Sequence, residues 1–264
     1  MATKDTWWRS TCCRNTSSRH HERYRLPIVV SLIVFLLLLY FVRERDQAQQ
    51  KADALLLNVL PAEIAAQLKN DQHEDETAVI AHESENVSVL FADMRGFTPL
   101  STVLSPIEMV TLLNEIFSAF DVILDRYGLE KIRTVGDSYM VASGAPVPRE
   151  DHAEALCRMA IEMRDHVDNL PEVGDQKIEF RFGINSGPVV AGVIGTTKFH
   201  YDVWGDSVNI AARMESHGIV GKIQITDTTR QLLGEEFTCS ARRPIDVKGK
   251  GQMKTWILDS VAQV

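Results

Sequence analysis

The 264 residues, 45% hydrophobic and 24% charged, are enough for one or two domains with a real core, so no disulfide or metal staple is needed to explain folding. With 28 Lys+Arg against 36 Asp+Glu, the net charge of −8 argues against a nucleic-acid backbone as the main partner. The charge is uneven. Residues 1–25 carry Lys4, Arg9, Arg14, Arg19, Arg23 and Arg25 against Asp5 and Glu22, so a basic segment precedes an acidic body. The four cysteines, Cys12, Cys13, Cys157 and Cys239, form neither a disulfide framework nor a CxxC metal pattern, which fits a reducing compartment.

Residues 26–42 (LPIVVSLIVFLLLLYFV) carry no charge and are flanked by Arg25, Arg43 and Arg45. This is at the short end of what spans a bilayer as a helix, and we read one membrane span at the cell membrane. A cleaved signal peptide is the competing reading, but no small-residue cleavage site follows. The basic residues before the span favour a cytoplasmic N-terminus and an external domain. After the span, Ala48, Ala52, Leu55 and Val59 recur at helical spacing and end at Pro61; a short coiled coil or a helix packed on its own domain both account for them. Residues 43–69 thus read as a helical transducer, with a second short helix in PAEIAAQLK. Residues 70–86, rich in acids, read as a linker.

The main domain is expected at 87–264, where strands and helices alternate. Val87–Asp93 suits a buried strand, and Ser105-Pro-Ile-Glu108 is a capping box opening a helix that ends at Gly128. Lys131–Val135 and Tyr139–Ala142 make a hairpin around Gly136-Asp137-Ser138, and Asp151 with Glu154 caps a helix through about Asn169. Strands at Ile178–Ile184, Val189–Val193, Lys222–Ile225 and Thr255–Leu258, and a helix over Asp206–Ser216, complete a mixed sheet with helices on one face. The fold class is α+β, a ferredoxin-like βαββαβ core.

In such a core the first and third strands are antiparallel neighbours, so Asp93, closing the first, lies beside Asp137 at the hairpin tip. Two carboxylates flanked by Phe91, Ala92, Val135 and Tyr139, all expected to be buried, call for a divalent metal. A strand-end Asp and a hairpin Gly-Asp also serve as plain turn formers. Just beyond Asp93, the turn Arg95-Gly96-Phe97-Thr98 leads toward a helix whose free N–H groups suit phosphate. Asn209 and Arg213 stand one helical turn apart on a segment apolar enough to be packed, and an Arg there asks for an anion.

VLFADMRGFT, KIRTVGDSYMVASG, FGINSGPVVAGVIG and YDVWGDSVNIAARMES resemble, in order and over residues 87–259, the catalytic signatures of the class III adenylyl and guanylyl cyclases. The resemblance implies that Asp93 and Asp137, with the Met94 carbonyl, bind two Mg²⁺ or Mn²⁺ ions per site. One ion would activate the ribose 3′-OH and the other would hold the triphosphate. Arg213 would stabilise charge on the α-phosphoryl group and Asn209 would orient the ribose, while Lys248 or Lys250 reaches the terminal phosphates. It also implies a homodimer with shared sites, a domain on the cytoplasmic side where ATP is, and a transducer that holds two domains in register.

Asp202 matches the position where adenylyl cyclases carry an Asp for the adenine amino group, which favours ATP. Its partner position departs from the family pattern: adenylyl cyclases carry Lys and guanylyl cyclases Glu, and here it is Arg133. Arg remains an obligate donor, but the exchange is not conservative, and Arg133 with Asp202 also suits guanine. Other readings are a catalytically silent cyclase-like module, against which the four retained residues Asp93, Asp137, Asn209 and Arg213 speak, and a nucleotidyl transferase on a related palm-like fold.

Overall fold

The computed structural model describes the backbone of residues 16–57, 59–71, 80–173, 176–195 and 198–262, and within these not the side chains of residues 16–26, 28, 54, 55, 69–71 and 98. The chain divides into two compact units, Met1–Asn58 and Val59–Val264.

In the first unit a helix, α1, runs from Thr16 to Leu57 and contains Pro27. Among the described residues no helix is long and apolar enough to cross a membrane. The span read at 26–42 lies partly outside them, because the side chains of Leu26 and Ile28 are not described. Those from Val29 to Val42 are all exposed. The basic segment 1–25 falls outside the described residues except for the helical backbone from Thr16. Of the stripe read after the span, Ala48 and Ala52 are exposed on α1, the Leu55 side chain lies outside the described set, and Val59 sits in the turn beyond the end of the helix.

The second unit begins with α2 (Ala62–Asp71), which packs Leu60, Ile64 and Ala65 into buried positions. Strand β1 follows, from Ala81 to Arg95. It starts inside the segment 70–86 read as linker, because Ala81–Ser84 pair with Val189–Gly192; acidic composition hid residues whose alternate side chains face solvent. After α3 (Phe97–Val103) comes α4 (Pro106–Tyr127), opened by the expected capping box and closed by Gly128 at φ +60°, where an Ala would be strained. The hairpin of β2 (Glu130–Val135) and β3 (Ser138–Ser143) is as expected. Helix α5 spans His152–Asp168. Asp151 precedes it but does not cap it with its side chain, since Arg149 takes both carboxylate oxygens at 2.7 and 2.8 Å.

Strand β4 runs unbroken from Glu179 to Ile194 through Gly187 and Pro188, where two strands, Ile178–Ile184 and Val189–Val193, are expected from the sequence. The irregularity is absorbed on the neighbour: β1 shifts register between Ser84 and Val87, opposite Pro188, so the missing N–H costs little pairing. Beyond it lie β5 (His200–Trp204), α6 (Asp206–Ser216), β6 (Ile223–Thr226), α7 (Asp227–Gln231), β7 (Phe237–Val247) and β8 (Gly251–Val261). The sequence pattern missed β5 and β7. The latter is mostly exposed and shifts register between Arg242 and Ile245, so no clean alternation marks it.

The sheet order is β2-β3-β1-β4-β6-β8-β7, with β5 paired to β4. Its first four strands with α4 and α5 are the expected βαββαβ core. Leu90, Ala92, Phe180, Phe182 and Ile184 face Phe120, Leu156, Met159 and Met163 in one apolar cluster. Helices cover both faces, however, not one. A Cβ on Gly183 would stand 2.0 Å from Glu215 N and 2.5 Å from Met214 C, and Gly183 alternates with Phe182 and Ile184. Helix α6 therefore lies across the face opposite α4 and α5, at a distance only glycine permits.

Candidate active site

Asp93, two residues before the end of the central strand β1, stands in register with Ser138, and the Met94 N–H donates to the Asp137 carbonyl at 3.4 Å. This backbone link brings together the two carboxylates that the sequence pairs. Burial raises the pKa of Asp93, the charge of Asp137 adds to the rise, and Arg181 opposes it. Burial also raises Asp137. Of the flanking residues, Ala92 and Tyr139 are buried as expected, but Val135 is 63% exposed.

Arg181 escaped the sequence reading. It lies on β4 directly across from Asp93 and donates to Asp93 Oδ2 at 3.2 Å and, through Nε, to Glu215 Oε1 at 2.8 Å. Burial raises the pKa of Glu215, with the Asp93 charge adding to it. The signal was present: in Phe180-Arg181-Phe182-Gly183 alternation points Arg181 away from the aromatic core and toward the face of α6.

Among the described residues no group of three or more His, Cys, Asp and Glu side chains is arranged to hold a metal ion. The donor set of Asp93 and Asp137, with the neighbouring Met94 carbonyl, nevertheless fits a hard divalent cation whose remaining ligands come from phosphate oxygens and water. Two half-buried carboxylates, one of which raises the proton affinity of the other, gain from a cation between them.

The turn after Asp93 places Gly96 at φ +75° as the residue before α3, a conformation that favours glycine. Phe97 is half-buried against the core, and the Thr98 side chain lies outside the described residues. Arg133 Nη1 donates to Asp202 Oδ2 at 2.5 Å, and Asp202 Oδ1 accepts from the Val203 N–H at 2.9 Å. The Asp202 side chain is 4% exposed, with His200 Nε2 at 4.0 Å from Oδ2. The two residues expected to read the base are thus brought together by their own ion pair.

Asn209 and Arg213 share one stripe of α6, as their spacing requires, but both are exposed. The packed stripe is Ser207, Val208, Ala211, Met214 and Glu215, so the expectation that Arg213 is packed does not hold within this unit. Lys250 Nζ pairs with Asp206 Oδ2 at 2.7 Å, at the start of α6. Lys248 is exposed.

Residues 79–260 match the model of the adenylate and guanylate cyclase catalytic domain. An adenylate cyclase of Mycobacterium tuberculosis is 47% identical over 213 residues, covering 81% of this chain and 47% of that protein. The human atrial natriuretic peptide receptor 2 is 39% identical over 227 residues, covering 82% of this chain and 21% of the receptor. The chain thus spans about half the length of the first relative, and less of the second. Among solved structures, the catalytic core of a rhodopsin-guanylyl cyclase with converted specificity, in complex with ATPalphaS, is 38% identical at a TM-score of 0.65, covering 67% of this chain and 97% of that one. The adenylyl cyclase CyaB from P. aeruginosa is 29% identical at 0.63, covering 69% and 97%.

Proposed function

The chain belongs to the adenylate and guanylate cyclase catalytic-domain family, and on that premise we propose that it converts ATP to 3′,5′-cyclic AMP and pyrophosphate as a homodimer. The observation that carries the reading is the convergence of Asp93 and Asp137 at the end of β1, with Arg181 beside them. Asp93, Asp137 and the Met94 carbonyl would hold the metal, Mg²⁺ or Mn²⁺, two ions per site. Bound there, the ions would neutralise the triphosphate and lower the pKa of the ribose 3′-OH.

The ribose 3′-oxygen forms a bond to the α-phosphorus, its proton passes to water, and the bond from the α-phosphorus to the β-phosphate oxygen breaks as pyrophosphate leaves. Arg181 shifts from Asp93 toward the incoming phosphates, the amides after Gly96 and one of Lys248 and Lys250 hold the triphosphate, Asn209 orients the ribose, and Arg213 meets the charge that develops at the α-phosphoryl group. Asp202, an acceptor on both oxygens, suits the adenine amino group. GTP is the second reading, favoured by one observation: Arg133 in this pair presents donors that suit the guanine O6.

Exposure of Asn209 and Arg213 on α6 supports the homodimer, because a catalytic Arg has to be desolvated to act strongly. Val135, Ile107 and Val110, at 63%, 81% and 67% exposed, supply apolar surface for such a partner. The exposed apolar side chains of α1 from Val29 to Val42 support anchoring in the cell membrane, and the requirement for cytosolic ATP, which outweighs the bias of the basic residues before the span, supports a catalytic domain on the cytoplasmic side.

The test is cyclic nucleotide formation by the full chain with Mg²⁺ or Mn²⁺, offered ATP and GTP separately. Cyclic AMP that disappears in Asp137→Ala is expected; cyclic GMP as the main product overturns the base assignment, and no product from folded dimer favours the silent module. Mixing inactive Asp137→Ala with inactive Arg213→Ala should restore activity, since one site of a mixed dimer is intact. No restoration removes the shared-site dimer.

A further inference from the structure

Six buried polar side chains form one continuous path through the catalytic unit. His152 Nδ1, at the start of α5, lies 2.9 Å from Ser88 Oγ on β1, which lies 2.6 Å from Ser186 Oγ on β4. Ser186 Oγ is 3.0 Å from Thr229 Oγ1 on α7, and that atom is 3.1 Å from Thr226 Oγ1 at the end of β6. Thr226 Oγ1 donates to Asn185 Oδ1 at 2.9 Å, and Asn185 Nδ2 donates to the Ser207 carbonyl at 2.9 Å. Each of these side chains is at most 5% exposed. The path begins on the α5 face of the sheet, rounds the end of β6 and finishes in the first turn of α6.

The polarity of this path follows from its last member. The Ser207 carbonyl can only accept, so the Asn185 amide faces it with Nδ2 and presents Oδ1 to Thr226. The Thr226 hydroxyl proton is then spent on Asn185. Thr229 must supply the proton for its contact with Thr226, Ser186 that for Thr229, Ser88 that for Ser186, and His152 that for Ser88. Any other assignment leaves one contact of the path with no proton between its two buried atoms, either two oxygens or His152 Nδ1 and Ser88 Oγ, which is costly. His152 is therefore protonated on Nδ1, and burial, which lowers its pKa against the opposing pull of Asp151, keeps the ring neutral.

We propose that this one-way chain, from the Nδ1–H of His152 to the amide of Asn185, clamps the first turn of α6 and makes Asn185 and His152 positioning residues for Asn209 and Arg213. The proposal rests on the reading of α6 as the element that carries the transition-state residues. Every hydroxyl in the chain has a single proton to give, and Thr226 Oγ1 also accepts from the Thr229 N–H at 3.3 Å, so loss of a donor at the far end disturbs the arrangement that holds the near end. A small displacement of α6 then acts on the chemical step more than on nucleotide affinity, because Arg213 is needed where charge develops.

Three measurements on the full chain test this. Nitrogen-15 correlation spectra of the histidine side chains at neutral pH, with His152 assigned from its loss in His152→Asn, should show a neutral ring protonated at Nδ1; protonation at Nε2 alone overturns the polarity. Thr226→Val should lower kcat about tenfold with KM for the nucleotide within about twofold, and Thr226→Ser should return kcat to near the parent value. His152→Asn, whose amide N–H stands in for the Nδ1–H, should retain most of kcat, whereas His152→Phe should resemble Thr226→Val. Equal rates in all four variants, or losses confined to KM, overturn the clamp. If the parent chain makes no cyclic nucleotide, the functional reading fails by itself. The tautomer, and the hydrogen-exchange protection of α6 amides in Thr226→Val against Thr226→Ser, then still decide whether the chain clamps the helix.

Discussion

Arg133 Nη1 donates to Asp202 Oδ2 at 2.5 Å, so the two side chains assigned to read the nucleotide base are each other's partner. A base that uses Asp202 has to share or displace this contact, and truncating one member leaves a nearly buried charge unpaired. Arg133→Lys keeps the charge on a flexible stem with rotatable donors. It is expected to raise kcat/KM for ATP several-fold without changing the preferred base. Arg133→Ala should cost at least tenfold in kcat/KM through the orphaned carboxylate. Steady-state rates with ATP and GTP check both.

Arg181 ties Asp93 to Glu215, and its removal leaves the carboxylates Asp93, Asp137 and Glu215 without their cation. In Arg181→Ala we expect cyclase activity to fall by about 10²-fold or more, as befits loss of a cation that in the proposed function also meets the phosphates. Arg181→Lys should restore only part, since one ammonium cannot fork between Asp93 and Glu215. Comparison of kcat and KM for the two variants, with thermal unfolding as a control for folding, decides the matter.

Gly183 sits where α6 crosses β4. Gly183→Ala forces the helix backbone to retreat from a Cβ that would otherwise stand 2.0 Å from Glu215 N. A stability loss of about 1–3 kcal/mol is expected from such overpacking. Activity should fall further than stability, because the same helix carries Asn209 and Arg213. Chemical denaturation alongside kcat measures the two separately.

Glu130, at the start of β2, has its pKa pushed from 4.5 up to about 7, first by burial and then by the charges of Glu63 on α2 and Asp125 on α4. The folded state therefore holds this proton more tightly than the unfolded chain. The favourable contribution is complete below pH 4.5 and is lost as pH rises through about 7. Glu130→Gln should leave stability unchanged near pH 4 and raise it by about 1–2 kcal/mol at pH 8, after allowance for partial exposure. Glu63→Gln should move stability the same way by less. Thermal unfolding at the two pH values provides the check.

Much of the catalytic constellation is legible in the chain because it depends on local order. The Ser105–Glu108 capping box, the closing Gly128, the β2–β3 hairpin and the one-turn spacing of Asn209 and Arg213 are set by residues close together, where steric and hydrogen-bond preferences act without tertiary help. The βαββαβ alternation itself places Asp93 beside Asp137. Composition misled at residues 81–86, where acids on the solvent side of a paired strand look like linker, and at Gly187-Pro188, where a neighbouring strand absorbs the break.

What the sequence by itself determined is the family motifs, the residues they nominate apart from Arg181, and most of the elements that carry them, since those follow from motif order and short-range periodicity. Only the tertiary structure decided which groups face each other: Arg181 on Asp93, Arg133 on Asp202, Lys250 on Asp206, α6 laid over Gly183, and the hydroxyl path from His152 to Asn185. These pairings join residues dozens of positions apart in the chain. Their partners are chosen by strand order, register and the approach distance of a helix, none of which a local pattern of residues encodes.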